Sequence, residues 1–203
     1  MGSKMEKTII GTHDSITAHP PRKWWMKLFK WIAVTQDKTI YQQYMDGVRC
    51  FDLRVRLGKV DKRAIYDKWV MCHGLYEVEA SIYEVIDNLR DFAIADNTTI
   101  YIRIVLENLK IDDHEAERFI KLCEFLDKFY ENVIFICGNR KSDWAQLYQF
   151  SYPNQQQWMP VSSCAEDARW YERLLPRVYA KRMNKHNLLN IPSKYGFAFF
   201  DFI

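Results

Sequence analysis

The stretch KTIIGTHDSIT, residues 7–17, ends a β-branched run in a glycine and then sets His13 and Asp14 side by side. A second histidine, His73, follows another apolar run. Arg54 lies near the end of a third, with Asp52 two residues before it, and Asp201 falls within the last apolar stretch. An imidazole titrates near neutrality, so two of them can take and deliver protons in one reaction. A guanidinium is a planar, permanent cation suited to an oxyanion, and a carboxylate beside a histidine can fix its tautomer. Each residue also has an ordinary role open to it. A histidine after a strand can be a solvated loop residue, and Asp14 can start a turn or cap a helix. Arg54 and Arg56 can form a solvated strand face, Asp52 can simply pair with Arg54, and Asp201 can sit in a turn.

The chemistry therefore depends on the elements that would position these groups. Residues 7–11 read as a first strand, VRCFDLRVRL (48–57) as a second and RAIYDKWVMCHG (63–74) as a third with a turn after it. Ser81 and Glu84 have capping-box spacing, and Ile82, Val85, Ile86, Leu89 and Phe92 behind them keep a helical period. TTIYIRIVLEN (98–108) is β-branched and aromatic. Asp112 or Asp113 can cap a helix bearing Phe119, Leu122, Cys123, Leu126 and Phe129. NVIFICG (132–138) is a continuous apolar strand, residues 139–170 are polar and irregular, a basic helix spans roughly 170–184, and YGFAFFDFI closes the sequence. Alternating strands and helices predict βα units around a parallel sheet. With polar groups recurring at strand ends, the expectation is a single α/β domain built as a distorted or incomplete TIM-type barrel, its site at the C-terminal rim.

The composition is that of a globular chain of 203 residues with 48% apolar, 27% charged and 15% aromatic residues. A net charge of +3 is too small to argue for nucleic acid, and no apolar run approaches the ~20 residues of a membrane span. MGSKMEK lacks the apolar centre of a signal peptide, which reads as a mature or tagged form. Cys50, Cys72 and Cys137 lie within apolar strand-like runs, as free buried thiols do, and point to a reducing compartment. A soluble, membrane-peripheral monomer is expected.

IIGTHDSIT, then TQDKTIYQQYMDGVRCFDLRVR, then CHGLYEVEASIYEVIDNLRDF closely resemble the X-domain of phosphatidylinositol-specific phospholipases C, the short bacterial type and its metal-free relatives. The resemblance covers about residues 7–107, and GFAFFDFI is similar to the family's last strand. It implies a distorted TIM barrel that cleaves phosphatidylinositol: the inositol 2-hydroxyl attacks phosphorus, giving diacylglycerol and a cyclic inositol phosphate. Carried over by motif, His13 is the general base, His73 the general acid and Arg54 the phosphate clamp. Asp14 assists the acid side or the leaving group, Asp201 orients His13 and Asp52 supports the site. The family's inositol-binding aspartate corresponds to Asp167 in CAEDARWY, which also reads as a helix-start acid. Two basic residues of the family would fall near Val105 and Gly138, so these contacts are absent or come from Arg103 and the nearby Arg140. Where the calcium-dependent branch has a carboxylate this chain has Arg54, so no metal and no cofactor is expected.

PPRKWWMKLFKWIAV (20–34) places Trp24, Leu28, Trp31 and Ile32 at helical spacing, with Lys23, Lys27 and Lys30 on another face. That is the composition of an interfacial helix, and Trp24, Trp25 and Trp31 are its membrane-facing candidates. The other reading packs its aromatics onto the barrel. An inositol-phospholipid phosphodiesterase, a phosphodiesterase for another lipid or a glycosyl-phosphatidylinositol, and a catalytically idle membrane-binding domain all fit this sequence.

Overall fold

The computed structural model describes residues 8–58, 68–107, 113–130, 132–139, 148–149, 158–160, 169–187 and 197–203. The strands are β1 (Ile9–Thr12), β2 (Cys50–Leu57), β3 (Trp69–His73), β4 (Tyr76–Glu77), β5 (Ile100–Leu106), β6 (Val133–Asn139), β7 (Tyr148–Gln149), β8 (Trp158–Pro160) and β9 (Phe197–Phe200). The helices are α1 (Lys30–Ala33), α2 (Ile40–Met45), α3 (Ile82–Ala95), α4 (Asp113–Phe129), α5 (Trp170–Leu174) and α6 (Pro176–Asn187), and a 3-10 helix spans Trp24–Phe29.

The chain is mixed α/β with one sheet whose strand path runs β7-β6-β5-β2-β1-β9-β8. Among the described residues this path is open at both ends. It is not wholly parallel either, because β3, β4 and β7 each run antiparallel to a neighbour. The parallel part, with β1 between β2 and β9 and β5 between β2 and β6, follows the βα alternation.

The antiparallel β3 makes the site possible. Over its first residues β2 is flanked by β1 on one edge and β5 on the other. β1 stops at Thr12, and β3 takes up its edge of β2 from Val55 onward, running back toward the place where β1 ended. The ends of β1 and β3 thus approach each other along one strand. Gly11 allows β1 its close seat, since a Cβ there would lie 3.1 Å from both the Cys50 Cβ and a Phe199 ring carbon.

The helix periods hold with small corrections. α3 buries Ile82, Val85, Ile86, Leu89 and Ala93, while Phe92 is half-buried against Tyr41 and Tyr44. α4 buries Phe119, Leu122, Cys123 and Leu126, but Phe129 is exposed and stacks on Phe125. Ser81 is the N-cap of α3 without a side-chain cap bond. A capping box forms instead at Thr39 and Gln42 of α2. The basic helix divides into α5 and α6 at Leu175 and Pro176, because proline removes an N–H that helix continuation needs.

Candidate active site

His13 and Asp14 form the turn after β1, and Asp14 has a left-handed φ of 46°. Asp tolerates that region better than most residues, and the turn is pinned on every side. Thr17 donates to the Asp14 carbonyl through its backbone N–H at 3.0 Å and its hydroxyl at 2.9 Å. Thr35 Oγ1 and Gln36 Nε2 donate to the His13 carbonyl at 3.1 and 3.0 Å, and Gln36 also reaches the Phe200 carbonyl at 2.8 Å. The Asp14 N–H donates to Asp52 Oδ2 at 3.2 Å.

β1 and β9 pair in register to Thr12 and Phe200, so His13 and Asp201 leave the sheet together. His13 Nδ1 lies 2.8 Å from Asp201 Oδ1. Burial pushes the His13 imidazole well below its usual range, helped by Arg54, and pushes the Asp201 carboxyl well up. The proton between them is located from the far side of the ring. Arg54 Nη2 abuts His13 Nε2, and a guanidinium can only donate. Nε2 therefore presents its lone pair, Nδ1 carries the hydrogen and Asp201 accepts it.

His73, the last residue of β3, is partly exposed. Its Nδ1 lies 2.7 Å from the Ala33 carbonyl, which can only accept, so Nδ1 carries a hydrogen here too and Nε2 faces the site. The two rings stand edge to face with centroids 6.1 Å apart. Between them lies Asp14, whose Oδ2 is 3.2 Å from each Nε2. Burial lifts the Asp14 carboxyl to about 6, against the pull of Arg54 and His73.

Along β2, Asp52, Arg54 and Arg56 share a face by alternation. Arg54 Nε is 2.5 Å from Asp14 and 3.3 Å from Asp52, and Nη1 is 2.8 Å from Glu107. Burial would discourage the Arg54 charge, yet the three carboxylates outweigh it and hold the guanidinium firmly protonated. Arg103, the register partner of Asp52 on β5, binds Asp52 Oδ1 at 2.5 Å. Burial works against an ionised Asp52, but Arg103 and Arg54 prevail and keep its carboxyl below the ordinary range.

His13, Asp14, Asp52, Arg54, His73, Arg103 and Asp201 are thus brought together. Asp167 and Arg140 lie outside the described residues. Arg56 is no solvated strand residue: it pairs with Glu77 and donates to the Gly74 carbonyl at 3.1 Å. Val105 and Gly138 are register partners, beside the Arg54–Val105 pair. Gln36, Thr35 and Glu107 join the site without having been singled out as its members. Of these, Glu107 carried a signal, because it shares the alternation of Arg103 and Val105.

His13, Asp14 and Asp52 also place one ligand atom each within 4.8 Å of one another, a grouping that can be tested as a metal site. It does not fit one. The Arg54 guanidinium already occupies the electrostatic centre of the two carboxylates, and a divalent ion would have to displace it.

The tryptophan-rich segment is exposed: Trp24 by 78%, Leu28 by 68% and Trp31 by 56%. Met26 is its buried anchor, so Trp24 and Trp31 do not pack on the sheet as a core helix would require. The segment ends at Ala33, the residue that holds His73, and a cavity of about 390 Å³ opens beside His73 between Trp25, Met26, Leu75 and Tyr76. Among the described residues no helix is long and apolar enough to cross a membrane.

No family model matches the sequence, and no curated protein matches it. Solved structures do. The phosphatidylinositol-specific phospholipase C of Listeria monocytogenes aligns with 98% of this chain and 89% of its own at a TM-score of 0.64 and 19% identity. The enzyme of the same name from Staphylococcus aureus aligns with 98% of this chain and 86% of its own at a TM-score of 0.61 and 15% identity. A variant of the Staphylococcus aureus enzyme gives a TM-score of 0.60 at 16% identity over 98% and 87%. At these identities the likeness is one of fold: the chain has the architecture in which those phospholipases are built.

Proposed function

We propose that the chain is a metal-independent phosphodiesterase that cleaves phosphatidylinositol-type lipids, on an incomplete barrel of the TIM type. The observation that carries the reading is the carboxylate oxygen of Asp14, equidistant from two imidazole Nε2 atoms with a guanidinium beside it. The likeness in fold to phosphatidylinositol-specific phospholipases C supports it.

The steps use the two ring nitrogens that face the site. His13 Nε2 accepts the proton of the inositol 2-hydroxyl as its oxygen bonds to phosphorus. The negative charge gathered on the phosphoryl oxygens meets the Nη groups of Arg54, which turns from His13 Nε2 to the phosphate. His73 enters the reaction protonated on both nitrogens, its Nδ1–H on the Ala33 carbonyl and Asp14 opposite to hold the charge; Nε2 gives its proton to the leaving glycerol oxygen and the ring becomes neutral. A cyclic phosphodiester and diacylglycerol result. Asp201 keeps His13 in the tautomer that presents a lone pair, Asp52 and Arg103 brace the floor, and Asp167 is the candidate for the inositol hydroxyls. The apolar cavity beside His73 suits the glycerol side of the substrate.

The test is incubation with a panel of labelled phospholipids and identification of the water-soluble products. Inositol phosphates from phosphatidylinositol alone support this reading. Products from another headgroup or a glycosyl-phosphatidylinositol would move the substrate, a reading favoured by the adjacent uncharged Val105 and Gly138 positions. No product at all would leave a membrane-binding domain.

Acidity should act first through Asp14. Its folded-state value is raised, so the ionised form is lost as pH falls through about 6, whereas His13 is lowered and stays neutral to more acid pH. kcat/KM is expected to fall on acidification through pH 6. Asp14→Asn should be slow and lack that limb. A limb at the same place in the variant would assign it to another group.

The exposed tryptophans give a second expectation. Burying a large apolar side chain contributes about 1.5–3 kcal/mol, so Trp24→Ala with Trp31→Ala should weaken binding to anionic vesicles at least tenfold. Turnover of a short-chain soluble substrate should barely change. Equal loss on both substrates would point to a packing role instead.

A further inference from the structure

Glu107 takes no part in the proton transfers above, yet it is fully enclosed at the end of β5. Its backbone N–H donates to the Val55 carbonyl at 2.7 Å, which continues the β2–β5 pairing and fixes where its side chain starts. Its two carboxylate oxygens go to different parts of the site. Oε2 accepts from Arg54 Nη1 at 2.8 Å, and Oε1 accepts from the Gly74 backbone N–H at 2.8 Å. That amide belongs to the peptide joining His73 to Gly74. Gly74 has a φ of +57°, which L side chains rarely adopt, and Arg56 holds its carbonyl.

Charge balance alone does not account for this residue. Arg54 already has Asp14 at 2.5 Å and Asp52 at 3.3 Å. A third buried carboxylate costs desolvation and repels an incoming phosphate. What it adds is a rigid bridge, one planar group with the clamp on one oxygen and the backbone of the acid on the other.

We propose that Glu107 is a positioning residue that sets the His73 imidazole against the Arg54 guanidinium, so that proton donor and phosphate clamp meet one substrate in a fixed relation. The proposal rests on the reading of His73 as the proton donor. A misplacement of about 1 Å at a reacting group can cost on the order of 10²-fold in rate. Glutamine at this position keeps the size but serves only one side. If its oxygen faces Gly74, its NH₂ meets Arg54, donor to donor, and the flipped amide fails Gly74. Aspartate is one carbon too short to span both.

The experiment compares wild type with Glu107→Gln on two soluble inositol phosphodiesters, one with an alkyl and one with an aryl leaving group, and follows the His73 ring by NMR. An aryl oxide departs without a proton, so it bypasses the acid. The expected result is a fall of roughly ten- to a hundredfold in kcat on the alkyl ester, with KM little changed. The loss should shrink to a few-fold on the aryl ester, and the His73 ring cross-peaks should broaden or move while those of His19 stay. Equal losses on both esters, or unchanged His73 cross-peaks, would overturn the proposal. If wild type cleaves neither ester, the reading of the reaction falls, and the His73 cross-peaks alone decide whether the bridge positions the ring.

Discussion

His13→Ala and His73→Ala are each expected to lower turnover of a cleavable inositol lipid by ~10²–10⁴-fold, the usual contribution of a general base or acid. Their effects on stability should differ. His13 is buried and supplies the N–H that Asp201 Oδ1 accepts at 2.8 Å. Removing that donor takes a hydrogen bond from an enclosed carboxyl, which costs about 1–3 kcal/mol. His73 is partly exposed, and its loss frees the Ala33 carbonyl and removes one neighbour of Asp14, which still faces Arg54. His13→Ala should therefore be both inactive and less heat-stable, and His73→Ala inactive with nearly native unfolding. Calorimetry alongside turnover checks the pair. A His73 variant with near wild-type rate would remove the proton donor from the scheme.

The second large effect belongs to Arg54. Lysine carries the same charge but lacks the planar fork. In this site the guanidinium uses Nε toward Asp14 and Asp52, Nη1 toward Glu107 and Nη2 toward His13. An ammonium cannot meet all four and still turn a donor to phosphate. Arg54→Lys is expected to lose ~10²–10³-fold in kcat, the scale of removing a preorganised donor from developing charge. Excess chelator should leave the wild-type rate unchanged, because the guanidinium stands where a divalent ion would need the carboxylates. Activity abolished by chelator and restored by calcium would withdraw this role for Arg54.

Much of this arrangement was legible in the sequence. His13, Arg54 and Asp201 lie on or just after strands whose β-branched and aromatic runs announce them, and those strands pair in parallel as the βα alternation requires. The direction of β3 was not legible, because an apolar run reads alike in either sense, and it is the antiparallel course that delivers His73. Arg56 looked like a surface residue since alternation gives a face and not what covers that face. Thr35 and Gln36 act through backbone carbonyls of distant residues, a use of polar side chains with no local spacing to reveal it. Glu107 continues the alternation of Arg103 and Val105, but that spacing does not show its two partners, the Arg54 guanidinium and the Gly74 amide.

The pairing of β1 with β9 has a consequence for how the protein comes to work. His13 and Asp201 are 188 residues apart in sequence and 2.8 Å apart in the site. During synthesis β1, β2 and β3 emerge early, with both histidines, Asp14 and Arg54, yet the base lacks the carboxylate that selects its tautomer until β9 is made. Contacts between such distant segments form slowly, since the loop-closure entropy is lost before the pairing repays it. On the proposed function, competence is thereby tied to a contact that spans 188 residues, and a chain that has already built its proposed proton donor and clamp stays inert until that contact forms.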